Sequence, residues 1–531
     1  MIVKYDLVLR GALIMDGSGA PSFEADVGIA GGRIAAVTGL KDAKSFRLID
    51  VSGLAVSPGF IDMHSHSDES LLVNPRAESK IRQGVTTEVL GNCGNSPAPL
   101  EGELLGEVRD ELKKEYDLDV SWLSVGEYYG RLETQGTAVN CLTLVGNGNL
   151  RACALGFEDR RSTPEQMRKM KSLLFASMKD GAWGLSSGLI YVPSIFSDAG
   201  ELSELAGVLP PFGGIYATHM RSEGDRLLMA IEEAAEVGRK AGVFVEISHL
   251  KSSGRRNWGQ ASRALNLLGE FLGRGVRLGW DQYPYSASST GLDKVLPLWA
   301  LEGGSDAALL RLRNHETYRK ILNEVEGHPQ KDWSRVIIST VPSRKYSSWE
   351  GLSVKDASAA AGKEPSNLVL DLLREEGMKV GAIFLSMCDE DVETIMKSPL
   401  TAIGSDAAAR APYGALGRGK PHPRSYGTFA RVLGNYCRER KFFPIEEAVR
   451  RMTGLPASRL ALEDRGLIRE GYWADLVVFD PAGIRDTATY GNPHSYPEGI
   501  VHVLVNGKVT VEAGDHTGIL AGKVLRKRAA V

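Results

Sequence analysis

The sequence predicts an α/β fold: a TIM-like (β/α)8 barrel carrying an insertion, with a small β-sandwich built from both chain termini. Three observations predict it. Short apolar runs alternate with helical stretches through the middle of the chain, both ends show period-2 alternation instead, and several middle runs finish on a polar or metal-binding side chain. The 531 residues leave ample room for a barrel with attachments.

Residues 1–57 contain YDLVLRG, ALIMDG, ADVGIAGGRIAAV and RLIDVSG, separated by glycine-bearing turns. Such runs are hairpin material. The C-terminal span 465–531 repeats this character in DLVVFDP, IVHVLVNGKVTV and GDHTGIL, so the two ends are expected to meet in one sandwich. Between them, over 58–464, the expected strands are GFIDM, TTEVL, LTLVG, AWGLS, GIYATH, VFVEISH, RLGWDQY and, much later, TAIGSD. Amphipathic helices such as LLMAIEEAAEVGRKAG lie between several of them. Strand–helix alternation implies a parallel sheet, and eight such units close most simply into a barrel. The stretch from about 293 to 396 separates the seventh run from the eighth and reads as the insertion, with extra apolar runs VIIST and AIFLS.

Composition excludes several classes. Lys+Arg number 63 against 66 Asp+Glu, a net charge of -3 that argues against a nucleic-acid or membrane-surface protein. No run of about 18 apolar residues is present to span a bilayer. The start, MIVKYDLVLRGALIMDG, lacks the pattern of a signal peptide and reads as alternating strand. Five cysteines form no CxxC pair, so the expected compartment is a reducing cytoplasm. Oligomeric state is not fixed by these features.

GFIDMHSHSD puts His64 and His66 at the end of the first middle strand, where period 2 turns both imidazoles to one face. GIYATH ends in His219, VFVEISH in His249 and TAIGSD in Asp406. Only 10 histidines exist in the chain, yet four stand at predicted strand C-termini, which in a parallel barrel share one mouth. Cys93, in TTEVLGNCGNS, is the only cysteine at such a place. A lone buried cysteine is usually inert, but beside two pairs of imidazoles a thiolate ligand is the better reading, and mixed nitrogen and sulfur donors favour zinc over magnesium or calcium.

The series GFIDMHSHSD, GNCG, ATHMRSEGD, ISHLKSS, DQYPYSASST and GSD, in this order, resembles the amidohydrolase superfamily of metal-dependent hydrolases and, within it, the D-aminoacylases, the N-acyl-D-amino-acid deacylases. The resemblance runs from YDLVLRGALIMDGSGAP to VHVLVNGKV. Many relatives bridge two metals through a carboxylated lysine on the fourth strand; this chain has no lysine between Lys179 and Lys240, where that strand falls. The resemblance implies that Cys93, His219 and His249 hold the tighter zinc, that His64 and His66 complete a neighbouring position, and that Asp406 is the catalytic carboxylate. Whether one or two Zn2+ ions bind is left open. The implied substrate is a small N-acyl amino acid, with no nucleic-acid or membrane partner; its D-configuration comes from the resemblance alone.

Lys251 lies two residues past His249, with Tyr283 and Ser288 in DQYPYSASST. One cation plus hydroxyl donors can clamp a substrate carboxylate, and the matching D-aminoacylase residues are implied to bind it. Relatives acting on D-glutamate derivatives carry an arginine shortly after this motif, whereas TGLDKVLPLWA here favours an apolar or broad side-chain preference, with Lys294 as a potential substitute. Asn147, in VGNGNLR, stands where relatives have histidine. His422 and Arg424, in KPHPRSYGTF, read as loop-ordering residues rather than catalytic ones.

Rival readings are weaker. GLSSG, from Gly184 to Gly188, matches the serine-hydrolase elbow with Ser186 as nucleophile, but would leave the recurring histidines without common purpose. GALGRGK, from Gly414 to Lys420, resembles a phosphate-binding loop but has Pro421 in place of Ser or Thr. A non-catalytic scaffold would not need every ligand position intact. Dipeptide or cyclic-amide hydrolysis is the nearer competitor, since fold alone does not choose among such activities.

Overall fold

The computed structural model describes residues 4–327 and 332–528. The extremes of the two expected terminal spans, 1–3 and 529–531, lie outside the described residues. Both ends of the chain enter one nine-stranded sheet. The N-terminal part supplies Lys4–Ile14, Phe23–Ala30, Arg33–Thr38, Lys44–Asp50 and Ala55–Pro58; the C-terminal part supplies Leu476–Phe479, Ile500–Val505, Lys508–Glu512 and Asp515–His516. The join is Ala55–Pro58, which runs parallel to the first strand and antiparallel to Leu476–Phe479. Alternation sends Leu7, Leu9, Val27, Ile29, Leu476 and Val478 into one buried cluster, which makes the pairing of two distant segments favourable.

The middle of the chain holds eight parallel strands: β1 (Phe60–Asp62), β2 (Val85–Leu90), β3 (Asn140–Thr143, resumed at Val145–Gly146), β4 (Gly184–Gly188), β5 (Ile215–His219), β6 (Phe244–Ile247), β7 (Leu278–Gln282) and β8 (Thr401–Ile403). They pair in sequence order, and an isolated parallel bridge between Ser65 and Ala407 links the chain beyond β1 to the chain beyond β8. Successive residues feed different clusters. Phe60, Leu90 and Tyr216 pack outward against helices, while Ile61, Val89 and Ala217 join a second cluster with Leu142 and Ala402. Helices are cut to match: Leu227–Ala241 buries Leu227, Ala230, Ile231, Ala234 and Gly238, one stripe at helical spacing. Val125–Gln135 starts at a capping box, in which Ser124 accepts from the Glu127 amide and Glu127 accepts from that of Ser124.

Between β7 and β8 lies an antiparallel three-stranded sheet of Ser288–Gly291, Gly381–Phe384 and Val336–Thr340. Its first strand lies upstream of Asp293. The segment has its own core, including Leu292, Val295, Ile338, Leu370 and Phe384. No helix among the described residues is long and apolar enough to cross a membrane.

A C-terminal strap closes the end of the parallel strands remote from their C-termini. Amides of Cys141, Gly522, Leu525 and Lys527 pair this strap with the chain at 137–141 and 181, and the Trp183 indole donates to the Leu525 carbonyl. Ending the chain at Thr517 should lower the melting temperature, at a cost of roughly 0.5–1.5 kcal/mol for each hydrogen bond lost; thermal denaturation followed by circular dichroism measures this.

Candidate metal centre and substrate cavity

β1 stops at Asp62, and His64 and His66 follow it at period 2. His64 is buried beside the chain that leaves β8. Gly404 makes that approach possible, because a Cβ there would lie 2.7 Å from His64 Cβ and 2.8 Å from Asp281 Oδ1. Cys93 follows β2, His219 is the last residue of β5, His249 follows β6 and Asp406 follows β8. Cys93, His249 and Asp406 have φ of 53°, 37° and 50°. Residues other than glycine seldom adopt this left-handed region, and each such residue stores about 1–3 kcal/mol of strain. Three strand ends therefore leave the pleat at residues whose side chains meet in one place.

The meeting is close. Cys93 Sγ lies 3.3 Å from His64 Nε2, 3.7 Å from His219 Nδ1 and 3.4 Å from His249 Nε2. Asp406 Oδ1 stands 3.1 Å from His66 Nε2 and 3.6 Å from His64 Nε2. Two donor groups result, His64–His66–Cys93–Asp406 and Cys93–His219–His249, with Cys93 shared. Zinc bonds of about 2.3 Å to sulfur and 2.0–2.1 Å to nitrogen, at tetrahedral angles, separate S from N by about 3.6 Å. The observed separations fit that ion. A thiolate and imidazoles also suit zinc better than the hard cations, which take oxygen ligands. Burial pushes the Cys93 thiol up, but the His64 and His249 imidazoles outweigh it and hold the thiol well below its ordinary pKa.

Carboxylates stand behind the rings. Asp281 Oδ2 is 3.7 Å from His64 Nδ1, while its Oδ1 accepts the His249 amide at 3.0 Å. Glu223 is 2.9 Å from His249 Nδ1 and 3.6 Å from His219 Nε2, and it also pairs with Lys251. Burial would raise Glu223, yet Lys251 and the two imidazoles keep it ionised far below the usual range. Such outer partners fix ring orientation. A deeper clip supports β1 and β8: Lys80, fully buried, donates to Asp62 Oδ2 at 2.6 Å, Ser405 Oγ at 2.7 Å and the Ala407 carbonyl at 2.8 Å.

A cavity of about 490 Å³ opens onto this cluster, lined by His66, Cys93, His219, His249 and Asp406 and also by Tyr191, Glu223, Lys251, Ser288, Lys294 and Arg424. Lys251 and Ser288 thus reach it. Tyr283 does not line it: the ring is buried 4.6 Å beneath the Arg424 guanidinium, and its hydroxyl has no partner among the described residues. Arg424, read from sequence as a loop-ordering residue, donates to the Ser289 carbonyl at 3.2 Å and also lies 2.7 Å from Asp406 Oδ2. Burial would raise Asp406, but Arg424 and the imidazoles hold it well below the carboxylate range. His422 does order a loop. Its Nε2 donates to the Ala287 carbonyl at 3.0 Å and its Nδ1 accepts the Arg424 amide at 3.0 Å, so the ring is neutral.

Sequence reasoning missed Glu223 and the cavity position of Arg424; the signals were a carboxylate four residues past His219 and a cation in PHPR. Asn147 is buried away from the cavity lining, with Nδ2 donating to Ser197 Oγ at 3.0 Å and Oδ1 accepting from Ser194. Ser186 sits inside β4, and its hydroxyl is spent on the Gly91 carbonyl and the Gly94 amide rather than on a histidine. That is no nucleophile elbow.

The model of the amidohydrolase family matches residues 47–511. The chain is 37% identical over 535 residues to D-aminoacylase of Alcaligenes xylosoxydans xylosoxydans, covering 99% of this chain and 98% of that protein. It is 35% identical to N-acyl-D-aspartate deacylase of the same organism, over 97% of this chain and 93% of the relative. The crystal structure of N-acyl-D-glutamate deacylase from Bordetella bronchiseptica, complexed with zinc and a phosphonate mimic of the tetrahedral intermediate, superposes with TM-score 0.84 at 32% identity, covering 99% of this chain and 100% of that one.

Loss of an outer-shell partner typically weakens metal binding about 10–100-fold. Replacing the shared donor by Cys93→Ala should weaken zinc binding more than that, as read by metal content after dialysis. His422 generates a pH prediction. Burial, then Arg424, depresses its pKa well below 6.5. Unfolded, it takes a proton near pH 6.5 while the folded ring refuses one, so its contribution is complete above that pH and is lost as pH falls toward the folded value. His422→Gln should therefore show a smaller drop in melting temperature than the parent between about pH 7 and pH 5.

Proposed function

The chain belongs to the amidohydrolase family, in its D-aminoacylase branch, and from that premise we propose that it hydrolyses the amide bond of N-acyl-D-amino acids, releasing a carboxylate and a free D-amino acid. The carrying observation is the Cys93 sulfur held 3.3–3.7 Å from three imidazoles, with Asp406 across the cluster. The D-configuration is supported by the names of the relatives, each a deacylase of D-amino-acid derivatives. The architecture that goes with this reading is a closed (β/α)8 barrel over 58–464 with its insertion, flanked by a β-sandwich of 1–57 and 465–531. Parallel pairing from β1 to the first segment of β3 and from its second segment to β8, with the Ser65–Ala407 bridge, supports closure.

Cys93, His219 and His249 would hold one zinc, and His64 and His66 would complete a second position. Bound there, zinc supplies Lewis-acid polarisation of the scissile carbonyl and of the attacking water. Asp406, kept ionised by Arg424 and the imidazoles, takes the water proton and returns it to the leaving nitrogen. Its other oxygen is tied to Arg424, so one face of the carboxylate serves the proton. Lys251, Arg424 and Ser288 converge on the cavity, where two cations and a hydroxyl can hold the substrate's α-carboxylate. Tyr283, under the guanidinium, keeps Arg424 in place.

A panel of N-acetyl-D- and N-acetyl-L-amino acids, assayed with and without added zinc, tests the reading: turnover should be confined to the D series and should disappear on chelation. Asp406→Asn should keep its zinc while kcat falls by about 10²–10⁴-fold; a variant as fast as the parent removes Asp406 from the proton transfer.

A further inference from the structure

Three cations line the substrate cavity, Lys251, Lys294 and Arg424. Two are engaged beside the reacting groups, Lys251 with Glu223 and Arg424 with Asp406. Lys294 stands apart from both. Its ammonium is 2.7 Å from the Asp293 carboxylate and 5.0 Å over the Tyr191 ring, and that ring packs edge-on to His219 with centroids 5.2 Å apart. Lys294 therefore occupies the His219 side of the cavity.

Asp293 and Lys294 share a short 3-10 turn, Leu292–Val295, directly after the strand that carries Ser288. The Asp293 carboxylate fills the space of a missing side chain, because a Cβ on Gly291 would come within 2.1 Å of its Oδ1. Beyond the pair lies a second cavity of about 490 Å³ that shares Lys294 and Asn95 with the first. Asp293 is in its wall together with Glu69, Glu107, Glu111 and Glu115. The lysine thus faces the substrate with one carboxylate bound to it and four more behind.

We propose that Asp293 is a specificity-determining residue: it occupies Lys294, so that the site selects N-acyl-D-amino acids with uncharged side chains over those carrying a second carboxylate. The proposal rests on the deacylase reading above. The α-carboxylate meets two cations and a hydroxyl together at Lys251, Arg424 and Ser288, whereas an aspartyl or glutamyl side chain at Lys294 would meet a single cation and exchange one carboxylate for another, which gains little. It would also strand Asp293 in a partly buried wall where burial and neighbouring carboxylates already push Glu69 up to about 8 and Glu107 up to about 7. A further unpaired carboxylate is disfavoured there, a repulsive element of the kind that sets specificity.

Removing that charge should reverse the preference. In Asp293→Asn, the ratio of kcat/KM for N-acetyl-D-glutamate over N-acetyl-D-methionine should rise by about tenfold, chiefly through KM. Adding Lys294→Met to that variant should abolish the gain. Lys294→Met alone should leave the ratio low without a steep fall, since the lysine is already taken; a steep fall overturns the proposal and keeps it falsifiable if Asp293→Asn does not fold. An unchanged ratio in folded Asp293→Asn also overturns it, as does a gain seen for N-succinyl-D-methionine but not for the glutamate substrate, which would place Lys294 at the acyl end. Failure of the deacylase reading is distinct: the parent would then not turn over N-acetyl-D-methionine at all.

Discussion

Four imidazoles and a thiol turned toward one another inside a protein are electron-rich groups with few protons to share among them, and a bound cation favours the gathering. Much of the local structure serves that constraint. Cys93, His249 and Asp406 adopt left-handed backbone to bring their side chains round. Position 404 has no side chain, so that His64 can approach. Asp281 and Glu223 stand behind the rings and hold them in place. Beneath, Lys80 ties Asp62, Ser405 and Ala407 into one buried knot. Strain at the strand ends is tolerable because packing and hydrogen bonds on every side over-determine it.

The same site is balanced in charge. Each cation of the cavity has a carboxylate of its own: Lys251 has Glu223, Arg424 has Asp406 and Lys294 has Asp293. Buried charges persist only when paired, because stripping water from a lone ion costs far more than folding can offset. Pairing at this density means that a substrate's carboxylate must compete for its partners, so small differences among the three pairs can govern what is accepted.

What could be read from the sequence follows from reach. His64, His66, His219 and Asp406 were legible because each closes a short apolar run, and strand ends in a parallel sheet share one side. Cys93 was legible through its company. Residues acting over longer distances were not. Glu223 lies in a loop and meets its rings only after the chain has turned; Arg424 comes from beyond β8 on a side chain long enough to touch Asp406; Lys80 sits on a four-residue helix that no periodicity marks. Tyr283 is a further case: its motif suggests a ligand contact, and the structure adds that its ring lies 4.6 Å under the Arg424 guanidinium while its buried hydroxyl has no partner among the described residues. The strand Ser288–Gly291, short and polar, carries no apolar signal, so the insertion's sheet was visible only through its other two members.

Pairing of Ala55–Pro58 with Leu476–Phe479 has a consequence for biosynthesis. A ribosome delivers the first strands long before their partner exists, and through that interval an unfinished sheet edge waits in solution, where bare edges invite association with other chains. The strap, made later than its partners, then seals the floor under β3 and β4. This architecture commits the molecule to late closure: the catalytic mouth can be assembled in outline while the chain is still growing, but its foundations are joined only after Leu476–Phe479 has been made.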